Sequence, residues 1–249
     1  MDSPAFDLPL EDGRVCAVRV AAPPGPMPAG GWPVAYVLDL KQFETMRADA
    51  AGLPGLLVGL GPGVPEDRRW DYVPAVRRTD EHDASPGMRA GAARWLRTLD
   101  RVRARIGGDW RLDPHRQVLC GHSLGALFAL YVLTHRPQAF GGYVLSSPSV
   151  WWGGRYAVRL LRRRRAWLCA QGLPALGVRL TVGEHEQSLA PEESGPALDA
   201  AERARRLALR RERAMVDGMR DNAVLAGRTH RSAPLDALMP GWRWLLAEG

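Results

Sequence analysis

Ser123 lies at the centre of Gly121-His122-Ser123-Leu124-Gly125, with a short apolar run before it at residues 118–120 and a longer one after it. The first run has strand length and the second has helix length. A G-x-S-x-G pentapeptide is a weak signal by itself. Placed where a buried strand reverses into a buried helix, it is the turn that presents a serine hydroxyl for nucleophilic attack. Such a turn forces the serine into a sparsely populated backbone conformation, at a cost of roughly 1–3 kcal/mol. Gly121 and Gly125 have no side chains, so strand and helix can come close enough to hold that strain. The helix N-terminus beneath the turn then favours developing negative charge.

A hydroxyl is a poor nucleophile until a base takes its proton and an acid orients that base. Six histidines are available. His122 belongs to the turn and is expected to point away from the side on which Ser123 meets its partner, while His115 and His135 flank neighbouring elements. His82 precedes the serine in the chain, and His185 follows the apolar run at 177–182. In the order serine, acid, histidine, the best base is His230, in Gly227-Arg228-Thr229-His230. The acid is Glu184 or Glu186, in Val182-Gly183-Glu184-His185-Glu186.

Bringing these groups together requires strands whose carboxyl ends meet. A half-buried strand is predicted over 14–21, where Val15, Ala17, Val18 and Val20 alternate loosely, and a Pro/Gly-rich loop follows over 23–33. Apolar runs at 34–38, 56–60, 142–145, 177–182 and 223–226 read as further short strands. Ser85-Pro86 reads as an N-cap with proline in the first turn. Ala92, Trp95, Leu96, Leu99, Val102 and Ile106 then follow helical spacing until Gly107-Gly108 stops the helix. A basic helix is expected after residue 149, a mostly helical stretch over 191–219 and a closing helix over 235–246. Strands alternating with helices imply an α/β fold, a mostly parallel central sheet with helices on both faces, in a single domain over residues 1–249.

Composition narrows the function classes. The chain has 249 residues, 46% of them hydrophobic, enough for one sizeable core. No run of 18 or more apolar residues, the length that would span a bilayer, appears in the sequence. The acidic N-terminus lacks the apolar stretch of a secretory signal. Cys16, Cys120 and Cys169 are odd in number and far apart, which gives neither a disulfide framework nor zinc spacing and suits a reducing, cytoplasmic setting. Cys120 reads as a small buried strand residue. The net charge of +7 rests almost wholly on arginine, with Lys41 the sole lysine. Arginines cluster at 162–165 and 203–213, where acidic residues interleave the second cluster and stacking aromatics do not. These read as solvated helix faces, not a nucleic-acid surface, although an anionic small substrate would still feel the positive field.

Several stretches together resemble a known family. Arg69-Trp70-Asp71-Tyr72-Val73-Pro74, Gly121-His122-Ser123-Leu124-Gly125 and Ser147-Pro148-Ser149-Val150-Trp151-Trp152 carry the resemblance most densely, with looser matches at 182–186 and 227–230. From about Val34 to the C-terminus the chain is similar to the "putative esterase" branch of the α/β-hydrolases. Within it, the chain resembles the ferric-siderophore esterases that act on enterobactin-, salmochelin- or bacillibactin-type trilactones. The resemblance implies an α/β-hydrolase fold, Ser123 as nucleophile, His230 as general base and Glu186, over Glu184, as the acid. Some relatives work as a serine–histidine dyad. It also implies oxyanion donors at the backbone N–H groups of Leu124 and Leu40. At the second of these the family usually has Asp-Gly, where this chain has Asp39-Leu40.

The expected activity is ester hydrolysis through an acyl-enzyme. The expected partner is a small-molecule ester, a ferric siderophore by resemblance, with neither nucleic acid nor membrane involved. No cofactor and no metal ligand is implied; iron would arrive within the substrate. Trp151 and Trp152 follow the Ser-Pro-Ser turn, where they would either stack on aromatic acyl groups or pack in the core. Arg68 and Arg69 would either meet an anionic ferric complex or be solvated. The rival readings are a general carboxylesterase or thioesterase of the S-formylglutathione hydrolase type, and a degenerate hydrolase fold that only binds a ligand.

Overall fold

Val34, Tyr36 and Leu38 face one side of their strand and Ala35 and Val37 the other, and all five are buried. A strand that is apolar on both sides needs helices on both sides. The computed structural model, which describes residues 4–48, 52–75, 91–150, 152–172, 176–186 and 221–247, meets that need. Its elements run β1 (Ala5–Pro9), β2 (Val15–Ala21), β3 (Trp32–Leu38), α1 (Leu40–Arg47), β4 (Leu56–Pro62), α2 (Arg68–Asp71) and α3 (Ala92–Asp109). They continue β5 (Leu112–His122), α4 (Leu124–His135), β6 (Gly142–Ser146), α5 (Trp152–Ala170), β7 (Gly177–Gly183), β8 (Asp221–Leu225) and α6 (Ala233–Ala247).

The strands form one sheet in the order β1-β2-β4-β3-β5-β6-β7-β8. The first two pairings, β1 with β2 and β2 with β4, are antiparallel, and every pairing from β4 to β8 is parallel. Trp95, Leu99, Val102 and Ile106 of α3 and Leu127 and Phe128 of α4 join the cluster that includes Tyr36 and Leu38. On the opposite face, Phe43 and Met46 of α1 and Leu238 and Trp242 of α6 pack over Ala35, Val37, Val118 and Cys120. Period-2 alternation in the central strands thus assigns each helix to its layer. Cys120 is a fully buried strand residue.

Strand β3 lies between β4 and β5, so successive crossovers leave it toward opposite edges of the sheet. Beyond the carboxyl ends of β3 and β5 this leaves a crevice, the position at which parallel sheets build sites. Register places Leu38 opposite Gly121, so the residues that follow, Asp39-Leu40 and His122-Ser123, emerge side by side.

Several boundaries differ from those the sequence implies. Gly107 and Gly108 lie inside α3, with nothing within 4 Å of a side chain placed there. The helix instead ends where Trp110 turns extended at φ −137°, ψ 137°. Two exposed glycines weaken a last turn by about 1 kcal/mol each relative to alanine, which the buried stripe of α3 outweighs. Strand β1, helix α1 and the first half of β5 carry no clear sequence signal of their own. The helix start at Ser85-Pro86, the helical stretch over 191–219 and Trp151 lie outside the described residues. No helix among the described residues is long and apolar enough to cross a membrane.

Candidate active site

At the end of β5, Ser123 takes φ 56°, ψ −117°, a left-handed conformation rare for a residue with a side chain. The neighbouring glycines make it possible. A Cβ on Gly121 would stand 2.5 Å from the Gly125 carbonyl carbon, and one on Gly125 would stand 3.2 Å from Leu38 Cβ. Backbone bonds then fix the turn: Ser123 N–H donates to Ser146 O at 3.0 Å, and Ser123 O accepts from Leu127 N–H at 3.0 Å and Ser149 N–H at 3.1 Å.

The imidazole of His230, carried by the loop between β8 and α6, places Nε2 3.0 Å from Ser123 Oγ and Nδ1 2.8 Å from Glu186 Oε2. The separation of 107 positions between serine and histidine is closed by folding alone. Ser123 and His230 are half-buried, so the reacting edge is reachable, whereas Glu186 is only 5% exposed. Its second oxygen, Oε1, accepts from the Ser147 hydroxyl at 2.6 Å and from Gly183 N–H at 2.9 Å. Burial alone would push the Glu186 carboxyl up. The hydrogen bond and charge of His230, the Ser147 hydroxyl and the Gly183 N–H outweigh it and hold the group below its ordinary value of 4.5.

Glu184 is engaged elsewhere: its carboxylate accepts from Gly227 N–H at 2.8 Å and so holds the loop that delivers His230. The same loop is tied down by the Arg228–Asp236 ion pair and by His185 N–H donating to Arg228 O at 3.0 Å. Gly183 has no room for a side chain, since a Cβ would meet Arg228 O at 2.3 Å. Acid and base are thus pressed together through the backbone of β7's end.

Leu124 and Leu40 each open a helix, α4 and α1, where first-turn N–H groups have no carbonyl of their own helix to meet. Both helices follow strands whose ends lie side by side, with Leu38 opposite Gly121. At the Asp-Leu departure the positive φ falls on Asp39, at φ 93°, ψ 124°, and Leu40 opens α1 as ordinary helix. Asp39 is held there by its carboxylate, which accepts from Lys41 N–H at 3.2 Å and from Arg68 at 2.7 Å. A glycine at position 40 is therefore not required for a donor at that place.

The remaining expectations separate. Arg68 is turned to Asp39, and Arg69 is exposed on α2. Trp152 is 3% exposed within the core. Of its two readings packing holds, and no face of its ring is offered for stacking. His122 departs from the expectation that it faces away: its ring centroid lies 4.7 Å from that of His230, and its Nδ1 lies 3.1 Å from Ser146 Oγ. Strand alternation would have separated it from Ser123's partner, but that alternation ends at the positive φ of Ser123. Burial, with His230 and Arg68 nearby, pushes the His122 imidazole down to about 3, so it is neutral beside the base.

Three groups had no role in the sequence reading: Ser147, which holds Glu186; Ser149, whose Oγ is 3.1 Å from Ser123 Oγ; and Gly183. The Ser-Pro-Ser string was visible, but nothing in one sequence says which hydroxyl meets which partner. Among the described residues, no three His, Cys, Asp or Glu side chains gather as metal ligands would. Chemically, a hydroxyl on an imidazole on a buried carboxylate, beside two helix N-termini, can attack a carbonyl and stabilise the resulting oxyanion.

The chain is 28% identical over 214 residues to the ferri-bacillibactin esterase BesA of Bacillus subtilis, covering 74% of each. It is 29% identical over 203 residues to the apo-salmochelin esterase of Escherichia coli, covering 74% of this chain and 62% of that relative. Among solved structures, the BES protein from Bacillus cereus superposes with a TM-score of 0.74 at 26% identity, covering 98% of this chain and 94% of that one. The siderophore hydrolase EstB from Aspergillus nidulans also gives 0.74, at 21% identity, over 98% and 94%. The family described as "Putative esterase" matches residues 13–232, and the chain therefore belongs to that family of ester-hydrolysing enzymes with the α/β-hydrolase fold.

Proposed function

We propose that the protein is a serine esterase that opens the ester bonds of siderophore trilactones of the catecholate type. The observation that carries this reading is the unbroken line Ser123 Oγ–His230 Nε2 at 3.0 Å and His230 Nδ1–Glu186 Oε2 at 2.8 Å. Ser123 Oγ attacks the ester carbonyl as its proton passes to His230 Nε2. The carbonyl's π pair moves onto oxygen, within reach of the Leu124 and Leu40 N–H groups. Collapse breaks the bond to the alcohol oxygen, which takes the proton back from Nε2 and leaves an acyl group on Ser123. Water then repeats the sequence, with its proton going to His230, and frees the acid.

Glu186 stays ionised throughout and stabilises the imidazolium, a role that suits a carboxyl already held low by its donors. The substrate class is supported by the relatives named as ferri-bacillibactin and apo-salmochelin esterases. Arg69 is exposed on α2 and Arg68 beside it is paired with Asp39, so Arg69 is the one of the two whose charge is offered to an anionic substrate. The test is a substrate panel read by mass spectrometry. A ferric catecholate trilactone should be cleaved with kcat/KM at least roughly tenfold above that of a short p-nitrophenyl ester. The reverse preference would make the protein a general carboxylesterase.

A further inference from the structure

Residues 146–149, from the last residue of β6 onward, touch Ser123 and Glu186 directly and reach His230 through His122. Ser146 Oγ meets His122, which lies against His230. Ser147 Oγ donates to Glu186. Ser149 Oγ sits 3.1 Å from Ser123 Oγ, on a residue that is 3% exposed, and the Ser149 N–H donates to Ser123 O. Its carbonyl accepts from Trp152 N–H at 3.2 Å, which ties the residue to the start of α5.

The direction of the Ser149–Ser123 bond follows from counting protons. An ionised Glu186 can only accept, so a neutral His230 carries its proton on Nδ1 and offers a lone pair at Nε2. The single proton of Ser123 goes to that lone pair. The hydrogen bond between the two hydroxyls must then be donated by Ser149. We propose that Ser149 is a fourth catalytic residue, whose hydroxyl stabilises negative charge on Ser123 Oγ and acts chiefly when the acyl-enzyme is broken down. This rests on Ser123 being the nucleophile.

The asymmetry between the two half-reactions comes from what Oγ is in each starting state. Before acylation it is a hydroxyl oxygen, already a good acceptor, so Ser149's bond strengthens only modestly on the way to attack. In the acyl-enzyme, Oγ is the singly bonded oxygen of an ester and accepts poorly. Water adds, the Oγ–C bond breaks, its electron pair returns to Oγ, and His230 Nε2–H delivers the proton. Ser149's bond is therefore weak before this step and strong within it, which is the condition for lowering a barrier. A donor aimed at a full oxyanion is worth roughly 10²–10³-fold in rate; a hydroxyl aimed at an alkoxide that is being protonated should be worth less.

The experiment compares the parent, Ser149→Ala and Ser123→Ala with p-nitrophenyl acetate as probe, following nitrophenol release by stopped flow and the acetyl-enzyme by intact-protein mass spectrometry. Ser149→Ala is expected to slow deacetylation about 10–100-fold and acetylation by less than about tenfold. The acetyl-enzyme then accumulates, with a visible burst and an unchanged melting temperature. Equal losses in both half-reactions, no loss in either, or faster acetylation (as a Ser149 that competes with His230 for the Ser123 proton would give) would overturn the assignment. Ser123→Ala separates this claim from the one beneath it. If Ser123→Ala is inert and Ser149→Ala matches the parent, only the role of Ser149 falls; an active Ser123→Ala removes both.

Discussion

The proton on Ser123 has one productive destination, the Nε2 of His230 at 3.0 Å, and the fold spends several buried groups on keeping it so. Replacing Ser123 by alanine should lower kcat up to about 10⁶-fold, as removal of a triad nucleophile does, with little change in a thermal melt. The acid is held by donors that can be tested one at a time. Ser147→Ala removes the 2.6 Å bond to Glu186 Oε1. The carboxyl should then titrate at higher pH, moving the acid limb of the kcat profile upward, while KM changes little. A purely structural role for Ser147 would lower the melting temperature and leave that limb in place.

Glu186 and His122 also set how the fold responds to acid. The Glu186 pKa is lowered below 4.5 by folding, so its stabilising contribution is present above that value and is lost as pH falls through the folded value. His122 is pushed down to about 3 from its ordinary 6.5, so the unfolded chain binds the extra proton throughout that interval and stability falls as pH drops from 6.5 toward 3. Urea midpoints measured across this range should decline on acidification. His122→Asn should flatten the decline between 6.5 and 4.5, and Glu186→Gln the part below 4.5. Unchanged slopes in both variants would mean that other groups govern acid unfolding.

At the scale of elements, the site depends on close backbone approaches. A methyl on Gly121 would press on the Gly125 carbonyl carbon at 2.5 Å, and one on Gly183 would press on Arg228 O at 2.3 Å and Glu186 Oε1 at 3.0 Å. Gly121→Ala should cost about 1–3 kcal/mol of stability, the usual range for overpacking, and should disturb Ser123 directly. Gly183→Ala should cost a similar amount and separate acid from base, so activity should fall by more than stability accounts for. Denaturant midpoints alongside kcat check both.

What could be read from sequence follows the same physics. Tyr36, Val37, Leu119 and Cys120 sit in strands buried on both sides, so unbroken apolar runs announced them. The strand–turn–helix setting of Ser123 was visible for that reason, and chain order singled out His230. Strand β1, alternately exposed and half-buried at the sheet edge, gave no such run. Nor did α1, whose buried apolar residues, Phe43 and Met46, stand among polar ones. The family resemblance selects Glu186 over Glu184; the residues by themselves leave both open, because which carboxylate meets Gly227 N–H and which meets His230 is a matter of tertiary geometry. The hydroxyls of Ser147 and Ser149 were hidden for the same reason.

For the molecule as a whole, the excess of arginine gives a net charge of +7, and its consequence belongs to encounter, not chemistry. An anionic ferric complex should be drawn in by that field, so its kcat/KM should fall several-fold as salt shortens the screening length from about 30 Å at 0.01 M to about 3 Å at 1 M. A neutral p-nitrophenyl ester should show almost no salt dependence on the same enzyme. Equal salt dependence for both substrates would remove electrostatic steering from the account of specificity.

Activation of one hydroxyl by one imidazole is tested most directly by the rate and site of modification with a fluorophosphonate, mapped by peptide mass spectrometry on the parent and on His230→Ala. A single adduct on Ser123, forming at least ~10³-fold more slowly once His230 is gone, is the expected result. Rapid modification at another residue, or Ser123 reacting equally fast without His230, would contradict it.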